Sequence, residues 1–171
     1  MRQRPLTPRR SALALAAVVV AFDQLTKWWA LVGLDDGPTE LLGEFFQLRL
    51  IRNAGAAFGK LQGSGSIIAL LAIVVAVAIF ISLRDAPDRV TVWAMGLVMG
   101  GAVGNLVDRV FRGDGLFDGE VVDFLDFSFW PTFNVADSAI TVGALLALWE
   151  GLRSDSSHKS PSTSMESAPT E

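Results

Sequence analysis

Four long apolar segments constrain the fold of this chain more than any other feature. Each has roughly the 20 residues that an α-helix needs to cross a bilayer. Backbone groups in hydrocarbon must satisfy their own hydrogen bonds, so helices are the expected form. We therefore predict an all-α membrane protein with four transmembrane helices, from Ala12 to about Leu34, from about Ser64 to Leu83, from about Val90 to Val110, and from about Phe133 to Leu152.

The composition agrees with this prediction. Hydrophobic residues make up 51% of the 171 residues, charged residues 19%, and the mean hydropathy is +0.43. That balance is too apolar for an ordinary soluble domain. The basic start imitates a signal peptide, but its apolar run is too long and lacks a convincing cleavage site. The net charge of −4 comes with no basic patch, so no nucleic-acid partner is expected.

Charge and polarity along the chain indicate its organisation. We expect one four-helix domain over residues 1–152 and a disordered, Ser-rich tail over 153–171. Four spans put both termini on one side, and the basic residues there favour the cytoplasm. Segments 35–61 and 111–132 then face outward. A short alternating stretch at 46–50 predicts a small strand, whereas 111–132 is interpreted as a polar loop with aromatic residues.

The residue inventory limits the possible chemistry. The chain has no cysteine and no tyrosine, and its one histidine, His158, lies in the tail. Disulfides, catalytic thiols and thiolate or histidine metal sites are therefore excluded. We expect no metal, although an all-carboxylate magnesium site is a weak alternative.

Two aspartates stand out near the outer ends of the spans. Asp123 lies in the segment Val121–Phe124, and Asp137 lies where the fourth apolar segment begins. Ionisable residues near membrane depth are costly and usually functional. Two carboxyls that share a site cannot both ionise cheaply, which is the basis of aspartic-protease chemistry. Each residue also has a structural interpretation, since the helix dipole favours Asp137 and the loop around Asp123 is acidic.

Other polar and small residues cluster in the first and third segments. Gly96, Gly100 and Gly104 share a helix face that permits close packing. Asn105, Asp108 and Arg109 form a polar patch one turn later, and Asp108 and Arg109 are predicted to pair locally.

The first and fourth segments each carry a further polar pair. Asp23 and Lys27, at i and i+4, can neutralise each other, reach another helix or bind a polar substrate group. Asn134, three residues before Asp137, is a candidate helix cap.

Five short segments, taken together and in order along the chain, resemble the motifs of the lipoprotein signal peptidase (signal peptidase II) family. They are Asp23–Lys27, Asn53–Phe58, Gly101–Arg109, Val121–Phe124 and Phe133–Ser138. The resemblance implies an intramembrane aspartic endopeptidase in the bacterial inner membrane, with both termini cytoplasmic. It implies removal of signal peptides from prolipoproteins, by cleavage before a cysteine that carries a diacylglyceryl group.

The resemblance also assigns residues. Asp123 and Asp137 match the catalytic pair. The positions that match the family's supporting residues are Asp23, Asn53, Gly55, Asn105, Arg109 and Asn134. We add Lys27, Gly101, Gly104 and Asp108 as candidate substrate-binding or supporting residues. The resemblance implies a β-like extracytoplasmic cradle over 35–58 and an extracytoplasmic loop over 111–132. We also expect contact with membrane lipids, no cofactor and a monomer. The stretch 111–120 looks longer than is usual in the family, which leaves the lid shape and the substrate preference open.

Two other classes of protein fit parts of the pattern. A small proton-coupled transporter or channel also uses buried Asp, Asn and Lys residues. No inverted repeat is visible, however, and the carboxyls cluster toward one face instead of marking a path across the membrane. A structural assembly factor could use the glycine faces to pack its partners. A cleavage assay on the purified protein separates all three.

Overall fold

The fold is a bundle of four helices with a small sheet at one end. The computed structural model describes residues 7–55, 65–84, 88–115 and 117–158. Its helices are α1 (Pro8–Gly33), α2 (Gly65–Ser82), α3 (Arg89–Phe111) and α4 (Val135–His158). All four are long and apolar enough to cross a membrane, which confirms the predicted spans.

Helix α3 is the centre of the bundle and packs against the other three helices. Gly96 and Gly100 lie against the backbone of α1 at Ala12 and Ala16. A Cβ on Gly100 would stand 2.8 Å from Val19 Cβ, so the two helices can approach this closely only because the residue is glycine. The predicted glycine face is therefore the contact with α1.

The sheet has four antiparallel strands in the order β1-β2-β3-β4. They are β1 (Thr39–Glu40), β2 (Phe46–Asn53), β3 (Val121–Phe127) and β4 (Trp130–Phe133). Strand β2 pairs with β3 from Phe46 opposite Phe127 to Asn53 opposite Val121. The all-α prediction is thus incomplete, because strands within 39–53 of the predicted cradle and within 121–133 form one sheet.

The interpretation of 111–132 as a loop is wrong for a physical reason. The first four residues of β3, from Val121 to Phe124, are all buried, so the strand shows none of the alternation that identifies a half-exposed strand. Strand β2 is longer than the predicted stretch at 46–50. The Ala56–Phe58 part of the predicted motif lies outside the described residues.

Helix α4 continues beyond the predicted domain boundary at residue 152. Arg153 forms a two-contact ion pair with Glu150, at 2.9 Å and 3.1 Å, and the helix ends at His158. Side-chain pairs three residues apart support a helix, and here they extend it into the polar segment. The remainder of the tail, 159–171, lies outside the described part of the chain.

Candidate active site

The two aspartates of interest lie on neighbouring elements at the sheet end of the bundle. Asp123 is in β3 and Asp137 is in the first turn of α4. Asn134 caps that helix, as its sequence position predicts: its Oδ1 accepts from Asp137 N at 2.9 Å, and Asp137 Oδ2 accepts from Asn134 N at 3.2 Å. This reciprocal pair of bonds fixes the Asp137 side chain against the helix start.

Asn134 also links the two carboxyl groups. Its Nδ2 donates to Asp123 Oδ1 at 2.7 Å, while its backbone N–H donates to Asp137 Oδ2. The side chain is fully buried, and Nδ2 also contacts the carbonyl oxygen of Val122 at 3.3 Å. One residue therefore sets the position of both acids.

The other oxygen of each carboxyl accepts from a second amide. Asn53 Nδ2 donates to Asp123 Oδ2 at 3.0 Å, and Asn105 Nδ2 donates to Asp137 Oδ1 at 2.8 Å. Gly55 N donates to Asn53 Oδ1 at 3.1 Å, which turns the Nδ2 group toward Asp123. Gly55 has a φ of 153°, a conformation that favours glycine.

Neither of these two carboxyls forms an ion pair with any residue that the structure describes; their donors are neutral amides and a backbone N–H. Asp123 is only 2% exposed. Burial raises the pKa of Asp123, the nearby Asp137 carboxylate raises it too, and the bonds from Asn53 and Asn134 lower it; the outcome is about 6. A carboxyl with this pKa can exchange a proton near neutral pH.

A second polar cluster lies deeper, between α1 and α3, and Lys27 is its centre. The Lys27 side chain is 0% exposed, and its Nζ lies 2.8 Å from Asp23 Oδ2 and 2.8 Å from Asp108 Oδ2. Nζ also donates to Asn105 Oδ1 at 2.9 Å. The predicted pair between Asp23 and Lys27 is present, and it reaches across to a second helix.

The predicted pairing of Asp108 with Arg109 is wrong. Asp108 pairs with Lys27 and with Arg112, whose Nε lies 2.7 Å from Asp108 Oδ1. Adjacent residues on a helix point in different directions, whereas residues four apart lie on one face. Arg112 stands four residues after Asp108, so the spacing could have identified it.

This Lys27 cluster holds the backbone beside each of the two acids. Asp23 Oδ1 accepts from Ala136 N at 2.9 Å, and Asp108 Oδ2 accepts from Val122 N at 3.2 Å. These amides immediately precede Asp137 and Asp123. The cluster is therefore bonded to both α4 and β3.

Gln24 belongs to the same cluster, and sequence reasoning missed it. Its Nε2 donates to Asp108 Oδ1 at 3.1 Å, to the carbonyl oxygen of Gly104 at 3.1 Å and to Asp23 Oδ2 at 3.2 Å. A Cβ on Gly104 would stand 2.7 Å from Asp23 Oδ2, so glycine makes room for this carboxyl. Gly101 similarly makes room for the Ala136 carbonyl of α4.

Arg109 differs from every other charged group in the site. It is 5% exposed, and its Nε and Nη1 have no hydrogen-bond partner among the described residues. Its guanidinium interacts electrostatically with Asp123, Asp108 and Asp137. An unsatisfied buried donor is costly, so these two nitrogens are available for a bound group. No group of three or more His, Cys, Asp or Glu suited to a metal occurs in the described ranges.

Comparisons with known proteins agree with the fold. A family profile described as signal peptidase (SPase) II matches residues 15–153. A lipoprotein signal peptidase of Rhodococcus jostii is 43% identical over 84% of this chain and 74% of its own length. One from Mycobacterium avium is 41% identical over 85% of this chain and 80% of its own length. A solved bacterial membrane enzyme superposes with a TM-score of 0.75 at 31% identity, over 94% of each chain.

Proposed function

The chain belongs to the signal peptidase II family, and on that premise we propose that Asp123 and Asp137 are its catalytic pair. Membership makes it an aspartic-type peptidase and a multi-pass bacterial membrane protein. The observation that carries the assignment is the arrangement around Asn134, which donates to both carboxyls, while neither carboxyl forms a salt bridge with a described residue. Paired carboxyls of this kind share a proton and activate water.

The proposed substrate is a prolipoprotein whose cysteine carries a diacylglyceryl group, and the bond cleaved is the one before that cysteine. We place the protein in the inner membrane with both termini in the cytoplasm and the sheet outside. Exposed aromatic residues on the sheet, such as Phe129 and Trp130, support this placement because aromatic rings favour the headgroup region. The helices and the sheet then act as one peptidase domain that meets its substrate from the surrounding lipid.

In the proposed mechanism the pair begins with one proton. We assign the proton to Asp123, because this carboxyl is the more deeply buried of the two and its pKa is raised to about 6. Ionised Asp137 takes a proton from a bound water as the water oxygen bonds to the scissile carbonyl carbon. Asp123 donates to the carbonyl oxygen, and a proton then passes to the leaving nitrogen as the C–N bond breaks. The products are the carboxyl end of the signal peptide and the free amine of the lipid-bearing cysteine.

Arg109 is assigned to substrate binding. Its two unpartnered nitrogens suit the carbonyl oxygens of an extended peptide, which also lacks partners when it leaves water. The positive charge beside the pair would also stabilise the oxyanion that develops during attack. Asn53 and Asn105 hold the carboxyls in position and do not react.

The test is cleavage of a synthetic diacylglyceryl prolipoprotein by purified protein in lipid. Asp123→Asn and Asp137→Asn should each lower kcat by at least about 100-fold, since each removes one acid–base group. Asp126→Asn is a matched control on the same strand, because Asp126 pairs with Arg49 at 3.1 Å and does not contact the pair. Normal cleavage by either variant of the pair would overturn the assignment.

A further inference from the structure

Arg109 carries two hydrogen-bond donors that no described residue uses. The side chain is 5% exposed, and neither Nε nor Nη1 has a hydrogen-bond partner in the described part of the chain. A charged donor in such a position has lost its water without a replacement, which is costly. The guanidinium therefore gains more from binding an anion than from binding a neutral carbonyl oxygen, because bonds between two charged groups are the stronger ones.

The Nη1 group of Arg109 faces Gly65, the first residue of α2. A Cβ on Gly65 would stand 3.3 Å from Nη1, 3.3 Å from the carbonyl oxygen of Ala54 and 3.4 Å from that of Phe117. Neither oxygen accepts a hydrogen bond from Nη1. The amino end of a helix carries partial positive charge, which adds to that of the guanidinium. Gly65 contributes no side chain that could bond Nη1, so an anion can approach from this side.

Other charges near Arg109 limit what it can bind. Its guanidinium interacts with the proposed catalytic pair of β3 and α4 and with Asp108 of α3. Asp108 is already paired with Lys27 of α1 at 2.8 Å and with Arg112 of α3 at 2.7 Å, and Lys27 also pairs with Asp23. The catalytic pair carries one negative charge when it holds one proton and two when it holds none. An anion at Arg109 is therefore repelled least while the pair keeps its proton.

Hydrolysis creates an anion at this place. The C–N bond of the scissile peptide breaks, the water oxygen stays on the carbonyl carbon, and the resulting carboxylic acid passes its proton to the freed amine. A neutral peptide bond thus becomes a carboxylate on the signal peptide and an ammonium group on the cysteine. Charge-assisted hydrogen bonds are roughly twice as strong as neutral ones, so a guanidinium beside the reaction favours the product carboxylate over the substrate carbonyl.

We propose that Arg109 binds the terminal carboxylate of the released signal peptide on its Gly65 side, and that this product thereby inhibits the enzyme. The inference rests on the proposed function, which places the scissile carbonyl between Asp123 and Asp137. Repulsion by these two acids moves the new carboxylate away from them and toward Nη1. The cleavage rate then depends on how fast signal peptides are removed from the membrane.

The test measures the binding of two signal peptides with the same sequence, one ending in a carboxylate and the other in a carboxamide. The purified protein is held in phosphatidylcholine nanodiscs. At about pH 5.5, where a terminal carboxylate is ionised, the first peptide should bind roughly 10-fold more tightly. This preference should decline as the pH rises past about 6, because Asp123 then loses its proton. In Arg109→Gln the preference should be absent at every pH.

Gly65→Asp and Gly65→Asn form a matched pair of variants. Both add a side chain of the same size beside Nη1, but only the first adds a carboxylate. Gly65→Asp should abolish the preference, because its own carboxylate pairs with Arg109, whereas Gly65→Asn should keep it. Thermal unfolding shows whether the two variants fold alike, and the Arg109→Gln result decides the question if they do not.

Three results would overturn the inference. They are equal binding of the two peptides by the wild type, a preference that survives in Arg109→Gln, and an equal loss of preference in well-folded Gly65→Asp and Gly65→Asn. A preference that disappears when anionic phospholipid replaces phosphatidylcholine would assign the site to lipid headgroups and overturn it as well. Cleavage by the wild type reports separately on the proposed function. If the protein cleaves the prolipoprotein but binds both peptides equally, only the inference fails; if it does not cleave, both fail.

Discussion

The molecule contains two pairs of aspartates in very different surroundings. Asp23 and Asp108 are joined by the ammonium group of Lys27, 2.8 Å from each, and Arg112 adds a second cation. Asp123 and Asp137 are joined instead through Asn134. The first pair is neutralised and holds the helices together. The second pair has no such salt bridge among the described residues, and in the proposed mechanism it shares one proton.

The two pairs are also connected. Asn105 accepts from Lys27 through Oδ1 and donates to Asp137 through Nδ2. The carboxyls of the first pair bind the backbone amides that precede the second. The comparison shows how a bundle can hold two acids in place through amide donors, without a salt bridge to either carboxyl among the described residues. The ion pairs lie around Lys27. The Asn105 side chain and the backbone amides of Val122 and Ala136 connect them to the second pair.

The largest effect is expected from removing the shared cation. Lys27→Met leaves Asp23 and Asp108 buried beside each other, and the free energy of unfolding should fall by about 3–5 kcal/mol. Thermal unfolding in detergent measures this. Arg49→Met is the control, since it breaks a pair at a side chain that is 48% exposed and should cost no more than about 1 kcal/mol. If both variants lost the same free energy of unfolding, the buried and the exposed ion pairs would not differ in the way described.

Asp123→Asn should have the opposite effect on stability. The folded-state pKa of Asp123, about 6, is above the usual 3.8, so folding favours the protonated form and stability falls as pH rises between these values. At pH values above about 6 the variant should be more stable than the wild type by up to about 3 kcal/mol. The gain should vanish near pH 4. A variant that is less stable at every pH would count against the raised pKa.

Asn134→Ala should impair the proposed catalytic pair more than the fold. It removes the bond to Asp123 that lowers the pKa of this carboxyl, so the high-pH limb of the rate profile should move to higher pH. We expect kcat to fall about 100-fold, which corresponds to about 2.7 kcal/mol. Single-turnover rates across a pH series measure both effects. If the high-pH limb of the rate profile stayed at the same pH, Asn134 would act only as a helix cap.

The smallest effect is expected at Gln24, at the edge of the first pair. Gln24→Leu removes donors to Asp23 and Asp108 but leaves Lys27 in place, so the free energy of unfolding should fall by about 1 kcal/mol. The pH dependence of cleavage should not change. If the pH profile shifts as it does for Asn134→Ala, the two clusters are not separable in the way described.

The sequence predicts those parts of the molecule that depend on local pattern. The spans follow from apolar length, and the cap at Asn134 follows from its place before a helix. Strand β3 was not predicted because its buried residues hide the alternation. Lys27 could be paired with Asp23 by spacing, but its contact with Asp108 depends on how α1 packs on α3. The role of Gln24 depends on the same packing, whereas the Asp108–Arg112 pair follows from its i, i+4 spacing on one helix.

The central claim is that Asp123 carries a proton that titrates near neutral pH. Infrared spectroscopy of the protonated carboxyl C=O band, in the intact protein in lipid, tests it directly. We predict one band that disappears with a midpoint near pH 6 and is absent in Asp123→Asn but retained in Asp126→Asn. A band that persists in Asp123→Asn, or no band titrating in this range, would contradict the account.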